Sequence, residues 1–188
     1  MKQESPQPLL VPAVQFPEER LAMLLSRVYV DYFLPVWLDA DHFRQMCELE
    51  DVDLARSVIA LIADEPVGLA LLSLRGARGW ISGVGVLPLY RRLGIARRMV
   101  EALQTRARDR GLETLTLEVL AQNEAGLDLY RQLGFRKKRD LMVLRLEAVN
   151  SNPAPLPDEI AFAEPERLLA QAPALRQAPP SWQREEIS

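Results

Sequence analysis

The sequence predicts an α/β domain, and three stretches carry that prediction. Trp80 to Leu87 reads as a buried strand: Ile81, Val84, Val86 and Leu87 supply bulk, while Gly83 and Gly85 leave room for close backbone approach or a bulge. From Ile95 the period changes, with Ile95, Met99, Leu103 and Ala107 at helical spacing and Arg97, Arg98, Glu101 and Gln104 between them. Ser57 to Ala63 and Val67 to Leu74 read as an antiparallel hairpin around Asp64-Glu65-Pro66, apolar enough throughout to be covered on both faces.

The remaining elements follow in chain order. Leu9 to Val14 is a short first strand, which Pro12 confines to an edge. Pro17, with Glu18 and Glu19 behind it, opens a helix through about Tyr29 whose buried stripe is Leu21, Leu24, Leu25 and Val28. An aromatic connection, Tyr32-Phe33-Leu34-Pro35-Val36-Trp37, leads to a second helix capped by Asp39 or Asp41 and running through Cys47. Arg75 to Gly79 is a turn into the central strand, and Gly111 is a natural stop for the helix that begins at Ile95. Thr114 to Leu120 is the next strand, and Gln122 or Asn123 starts the helix after it.

The chemistry concentrates in Pro88 to Ala96, the turn between the central strand and its helix. A helix start leaves main-chain N–H groups without intrahelical acceptors, and the helix dipole favours negative charge there. Gly94 and Ala96 lack bulk that would hold a diphosphate off those amides, and Arg91, Arg92, Arg97 and Arg98 surround them with cations. Two familiar nucleotide loops are excluded. No Gly-Lys-Ser/Thr is present, and Gly83-Val84-Gly85 lies within the strand with Pro88 where a third dinucleotide-fold glycine would stand.

Val86-x-Pro88-x-x-Arg91-Arg92-x-Gly94-Ile95-Ala96 resembles motif A of the GNAT superfamily of N-acetyltransferases. A second block, Leu117-Glu118-Val119, Asn123 and Leu129-Tyr130-x-x-Leu133-Gly134-Phe135, is similar to motif B of the same superfamily, and in particular of its ribosomal-protein alanine acetyltransferases. The resemblance spans roughly Ser57 to Arg136. It implies a GNAT-like mixed, mostly antiparallel central sheet with flanking helices, in which two parallel strands splay apart to admit acetyl-CoA as co-substrate. It further implies that the backbone of Val84, Gly85 and Val86 meets the pantetheine arm, and that Arg91, Arg92, Leu93, Gly94, Ile95, Ala96 and Arg97 surround the pyrophosphate. Asn123 and Tyr130 complete the cofactor side.

Transfer of an acetyl group to an amine needs a neutral nucleophile and a protonated leaving group. An alkyl ammonium has a pKa of roughly 10.4 on lysine and about 7.7 to 8.0 on an α-amine, so a base is wanted at neutral pH. By resemblance Tyr130 is the acid that protonates the departing sulfur, since a phenol with pKa of about 10 stays protonated at pH 7. Its other reading is an anchor between helix and sheet. Glu118 corresponds to the proton-accepting glutamate, or else it orients water or the acceptor ammonium. Asn123 is a cofactor contact, an N-cap, or both. Tyr32, Phe33 and Trp37, with Glu48, Glu50, Asp51 and Asp53, either cover the core or border the acceptor site.

Composition bounds the partners. The 188 residues are 48% hydrophobic and carry a net charge of −3, which weighs against general attraction to nucleic acid or an anionic membrane. Arg106, Arg108 and Arg110 leave only a local basic face. Cys47 is the sole cysteine, so no intrachain disulfide forms, and together with an N-terminus lacking a signal-peptide core it points to the cytoplasm. His42 and Cys47 are five residues apart on a helix and do not converge, so no metal is expected. The apolar run Ser57 to Leu74 is broken by Asp64-Glu65-Pro66 and reads as strands rather than a membrane span.

One domain and an appendage are expected: the acetyltransferase-like domain over 1–149, and a proline-rich linker with an extension over 150–188. The family usually continues with two long strands after Gly134-Phe135, whereas here Arg136 to Leu146 offers one before the linker Asn150 to Pro157. Glu159 to Phe162 reads as a strand and Pro165 to Gln171 as a helix, and Ile160 to Leu169 echoes Val14 to Leu21. The extension is the start of a truncated second half, a strand supplied to this chain or to a second copy in a homodimer, or a disordered tail. The acceptor is an amine on a small molecule or a protein. A CoA-binding regulatory or scaffold module with little turnover is the alternative.

Overall fold

Alternating apolar strands and amphipathic helices assemble as the periodicity requires. The computed structural model describes residues 7–33 and 36–141. In chain order these form β1 (Leu9–Pro12), a 3-10 turn (Ala13–Gln15), α1 (Glu18–Val28), α2 (Ala40–Leu49), β2 (Val58–Ile62), β3 (Glu65–Arg75), β4 (Arg78–Val86), a second 3-10 turn (Pro88–Tyr90), α3 (Ile95–Asp109), β5 (Thr114–Leu117) and α4 (Glu124–Gln132). The strands lie in the order β1-β2-β3-β4-β5. All neighbours are antiparallel except β4 and β5, which are parallel. This is the mixed, mostly antiparallel sheet the sequence implies, with β1 at an edge as Pro12 requires.

Helices cover both faces, and two glycines show how. Gly68 and Val86 are cross-strand partners and share a face, on which a β-carbon at Gly68 would stand 3.1 Å from Met99 of α3. Gly85 is adjacent to Val86 and so points the other way. A β-carbon there would stand 2.3 Å from Cγ2 of Val28, so α1 reaches the sheet only because residue 85 has no side chain. The core is the layer between: Leu21, Leu24, Leu25 and Val28 of α1 and Phe43 of α2 on one side, Ile95, Met99, Val100, Leu103 and Ala107 of α3 on the other, and the apolar residues of β2 and β3 in the middle.

Two boundaries differ from the sequence reading. The β2–β3 turn is Ala63-Asp64, both with positive φ (48° and 63°), so it is a tight two-residue hairpin and not Asp64-Glu65-Pro66. Pro66 lies inside β3 opposite Leu61, next to a register slip between Ala60 and Leu61 that accommodates a residue without an N–H. β5 ends at Leu117 rather than reaching residue 120, because its pairing with β4 stops at Ile81 and Leu117. Among the expected caps, Asp39 is the one used: its carboxylate accepts from the His42 N–H at 2.8 Å.

The residues through Arg136 form one compact unit. The described part of the strand expected over 136–146, residues 136–141, is irregular. The boundary at 149/150, the linker and the extension over 150–188 lie outside the described residues.

Candidate active site

Two features converge at the C-terminal end of β4. The first is the start of α3. Gly94 takes the left-handed conformation (φ 77°) that turns the chain into the helix, and Arg92 before it also has positive φ (65°). The first intrahelical bond runs from the Arg98 N–H to the Gly94 carbonyl. The N–H groups of residues 92–97 have no acceptor among the described residues, and the space beside Gly94 is open, since a β-carbon placed there would meet nothing within 4 Å. Donors left open at the positive end of a 15-residue helix are an arrangement suited to an anion.

The cations predicted around it divide into two groups. Arg92 and Arg98 carry no ion pair among the described residues. Arg91 is spent locally: its guanidinium grips Asp31 with both nitrogens (2.7 and 2.6 Å) and donates to the carbonyls of Val28 (3.1 Å) and Val86 (3.0 Å), tying α1 to the end of β4. Those bonds hold the Asp31 carboxyl below the usual range. Arg97 bonds Gln132 of α4 and lies 4.0 Å from Glu101. Leu93 is exposed, whereas Ile95 is buried under the helix and seats it on the sheet.

The second feature is the splay. β4 and β5 pair over only four residues, Arg78–Ile81 with Thr114–Leu117, and then part. The gap between them is a cavity of about 60 Å³ lined by Tyr29, Tyr32, Ile81, Ser82, Gly83, Val84, Glu118, Val119, Asn123 and Tyr130. Thus Tyr130, Glu118, Asn123 and Val84, separated widely in sequence, meet at one place. The strand groups expected to face an open gap are partly held, however. The Tyr29 hydroxyl accepts from the Val84 N–H and donates to the Val84 carbonyl, each at 3.2 Å, and the Val86 carbonyl belongs to Arg91. Gly85 faces α1.

Tyr130 enters from α4. Its ring stacks edge-on to Phe135 at 5.9 Å, and its hydroxyl makes no hydrogen bond with a described residue. Burial pushes its pKa up, with Tyr29 and Tyr32 adding to the effect, so the phenol stays protonated throughout the neutral range. Asn123 caps α4 by accepting from the Gly126 N–H at 3.0 Å, and its amide approaches the Tyr32 hydroxyl at 3.4 Å. The N-cap half of its double reading therefore holds.

Glu118 is exposed, one residue past β5, and its charge is felt by Glu50 at the end of α2. Glu50 is pushed up from 4.5 to about 7, first by burial and then by Glu118, against a lowering by Arg75. The segment after Glu50 is fixed to the sheet: Val52 bridges Ser73, and Arg75 Nε bonds Asp51 at 2.6 Å. A carboxyl whose folded pKa is raised contributes stability below its unfolded value and loses it as pH rises through the folded one. Glu50→Gln is therefore expected to flatten the fall in melting temperature between about pH 4.5 and 7, measured by melts across that window.

Other candidates are placed elsewhere. Tyr32 joins the cavity wall, edge-on to Tyr29 at 5.1 Å, whereas Phe33 and Trp37 are exposed, Trp37 by 75%. Arg106 does not form a free basic face: it donates to the carbonyls of Arg56 and Ser57 at 2.9 Å each. Cys47 is half-buried, with its thiol raised to about 12 by burial, and His42 lies on the surface against Asp39. Among the described residues no cluster of three or more His, Cys, Asp or Glu is placed to hold a metal, and no helix is long and apolar enough to cross a membrane. Sequence reasoning misses Tyr29 and Ser82. The signals that could find them are slight: Tyr29 continues the buried stripe of α1 four residues after Leu25, and Ser82 is the one hydroxyl in β4.

Relatives of this arrangement are known. The N-alpha-acetyltransferase 30 of Schizosaccharomyces pombe is 34% identical over 89 residues, 44% of this chain and 59% of that protein. The ribosomal protein bS18-alanine N-acetyltransferase of Escherichia coli (strain K12) is 43% identical over 54 residues, 29% of this chain and 36% of that protein. The chain thus spans about three fifths or less of the length of these curated relatives. Among solved structures, one of the NatC complex bound to Gag peptide and CoA superposes with a TM-score of 0.57 at 20% identity, covering 71% of this chain and 87% of that one, a likeness of fold. A model of the acetyltransferase (GNAT) family matches residues 22–135, more than half of the chain. The chain belongs to the GNAT acetyltransferase family.

Proposed function

We propose that this protein transfers an acetyl group from acetyl-CoA to a primary amine by direct attack within a ternary complex. The observation that carries the reading is the row of main-chain N–H groups at residues 92–97, open at Gly94, standing beside a splayed strand pair. Such a row fits a diphosphate, and the splay fits an extended arm reaching from it. Family membership and a CoA-bound structural neighbour support the same reading.

Bound acetyl-CoA supplies an activated acyl carbon and a sulfur leaving group. The chain's own groups supply the rest. Glu118, at the cavity mouth, accepts the proton an ammonium must shed or orients the water that does so. As the nitrogen bonds the acyl carbon and the carbon–sulfur pair departs onto sulfur, the Tyr130 hydroxyl gives that sulfur its proton. The two side chains then exchange protons with solvent, leaving an amide and a thiol. Arg92, Arg98 and the amides of α3 hold the diphosphate, and Asn123 steadies the α4 end of the cavity. A cytoplasmic setting, with its lone thiol reduced, goes with this chemistry.

The test is to incubate the protein with acetyl-CoA and a panel of small-molecule amines, peptide N-termini and lysine peptides. Release of free thiol coupled to a mass gain of one acetyl group on an acceptor is the expected result. Tight binding of acetyl-CoA with no transfer to any member of the panel would favour a binding module instead.

A further inference from the structure

The edge that β4 turns toward the splay is occupied by the end of α1. Val84 stands opposite Ala70 of β3, yet the Tyr29 hydroxyl takes both its N–H and its carbonyl, so neither group is spent on β3. Val84 also lies beyond Ile81, the last β4 residue paired with β5. Two residues on, the Val86 carbonyl accepts from Arg91 Nε, and the same guanidinium holds the Val28 carbonyl and Asp31. Through Tyr29 and Arg91, the chain from Val28 to Asp31 is thus fastened along the stretch of β4 that β5 has left.

Tyr29 is fitted to that place. Its ring lies against the face that Gly83 and Gly85 leave bare: β-carbons there would stand 3.7 Å from its hydroxyl and 3.6 Å from its Cε2. Burial pushes the phenol up to about 12, so the hydroxyl keeps the proton that it donates to the Val84 carbonyl. The space left in the splay is about 60 Å³, whereas pockets that enclose an extended organic ligand run to roughly 300 Å³ or more. A pantetheine arm therefore needs the splay to open. It also needs partners there, and an amide N–H has one hydrogen, so Val84 cannot serve Tyr29 and an arm at once.

We propose that Tyr29 is a latch on the splay: its hydroxyl holds the Val84 N–H and carbonyl until a CoA ligand binds, and the amides of the pantetheine arm release it by taking the same two groups. The proposal rests on the acetyl-CoA reading above. Val84 has its hydrogen bonds before and after the exchange, so what the arm must overcome is the hold of the hydroxyl. The apparent affinity is lowered by the fraction of molecules that are latched. The diphosphate is held further along the chain, at residues 92–97, so only the arm senses the latch.

Tyr29→Phe keeps the ring and removes the hydroxyl. Calorimetric titration with CoA, and with 3′-phospho-ADP as the half of CoA that has no arm, separates the latch from the diphosphate anchor. The variant should bind CoA about three- to tenfold more tightly than the wild type and 3′-phospho-ADP within about twofold. Without ligand it should melt about 2–6 °C lower, because the two Val84 groups lose their partner. A hydroxyl that only supports the fold would not tighten CoA binding while lowering the melt. In the wild type, the Val84 amide resonance should move on adding CoA and stay in place with 3′-phospho-ADP, a check that needs no variant. Unchanged or weaker CoA binding by Tyr29→Phe, an equal gain for 3′-phospho-ADP, an unchanged melting temperature, or a Val84 resonance indifferent to CoA overturns the proposal. If the wild type binds no CoA, the acetyl-CoA reading falls and the latch with it. If the wild type binds CoA and the variant binds it no more tightly, that reading stands and the latch alone is lost.

Discussion

Replacing Gly94 with glutamate is expected to weaken acetyl-CoA binding at least about 100-fold, roughly 2.8 kcal/mol at 1.4 kcal/mol per decade. Two effects add. Gly94 sits at φ 77°, where a side chain strains the backbone by about 1–2 kcal/mol. The new carboxylate would also stand among the N–H groups of residues 92–97 and compete for them with the diphosphate. Because nothing lies within 4 Å of a β-carbon at this position, the substitution meets no core and the fold should survive. Gly94→Asn separates the two effects, since asparagine tolerates the left-handed region and brings no charge; it should bind within severalfold of the wild type. Calorimetry with both variants is the measurement. Glutamate at 94 with unchanged affinity would place the diphosphate somewhere else.

That the Gly94 loop can be read from the sequence at all reflects how local its physics is. A strand, a turn, a glycine and a helix are contiguous, and the donors they expose follow from helix geometry alone. The hairpin turn escapes the same kind of reading because Pro66 signals a turn, whereas Ala63, which adopts φ 48°, carries no such signal. Residues 118–120 keep a strand-like pattern after their neighbour strand has turned away, and only the pairing with β4 reveals where β5 stops. Arg91 is legible as a cation, but its partner Asp31 lies 60 residues upstream, and only the docking of α1 on the sheet brings them together. The same docking carries the Tyr29 hydroxyl 55 residues along the chain to Val84. Glu50 shows the limit most clearly, because its raised pKa depends on burial and on Glu118, neither of which a sequence pattern encodes.

Tyr130→Phe should separate chemistry from binding. The hydroxyl makes no hydrogen bond with a described residue, and the ring contact with Phe135 survives its removal, so the variant should melt within a degree or two of the wild type and bind acetyl-CoA within about twofold. Its kcat should nonetheless fall about 100-fold or more, the range for loss of a general acid. The pH profile offers an independent check. Burial raises the Tyr130 phenol above its ordinary value of 10, so in the wild type it stays protonated well past neutrality and imposes no alkaline limb there. The activity that remains in Tyr130→Phe should therefore keep the wild-type profile over the neutral range. Glu118→Gln should instead lower kcat across the neutral range, because an uncharged amide accepts no proton from the ammonium. It should also lower the Glu50 titration from about 7, since the negative charge that helps raise it is gone. If Tyr130→Phe loses stability in proportion to activity, the side chain anchors α4 and the proton for sulfur comes from solvent.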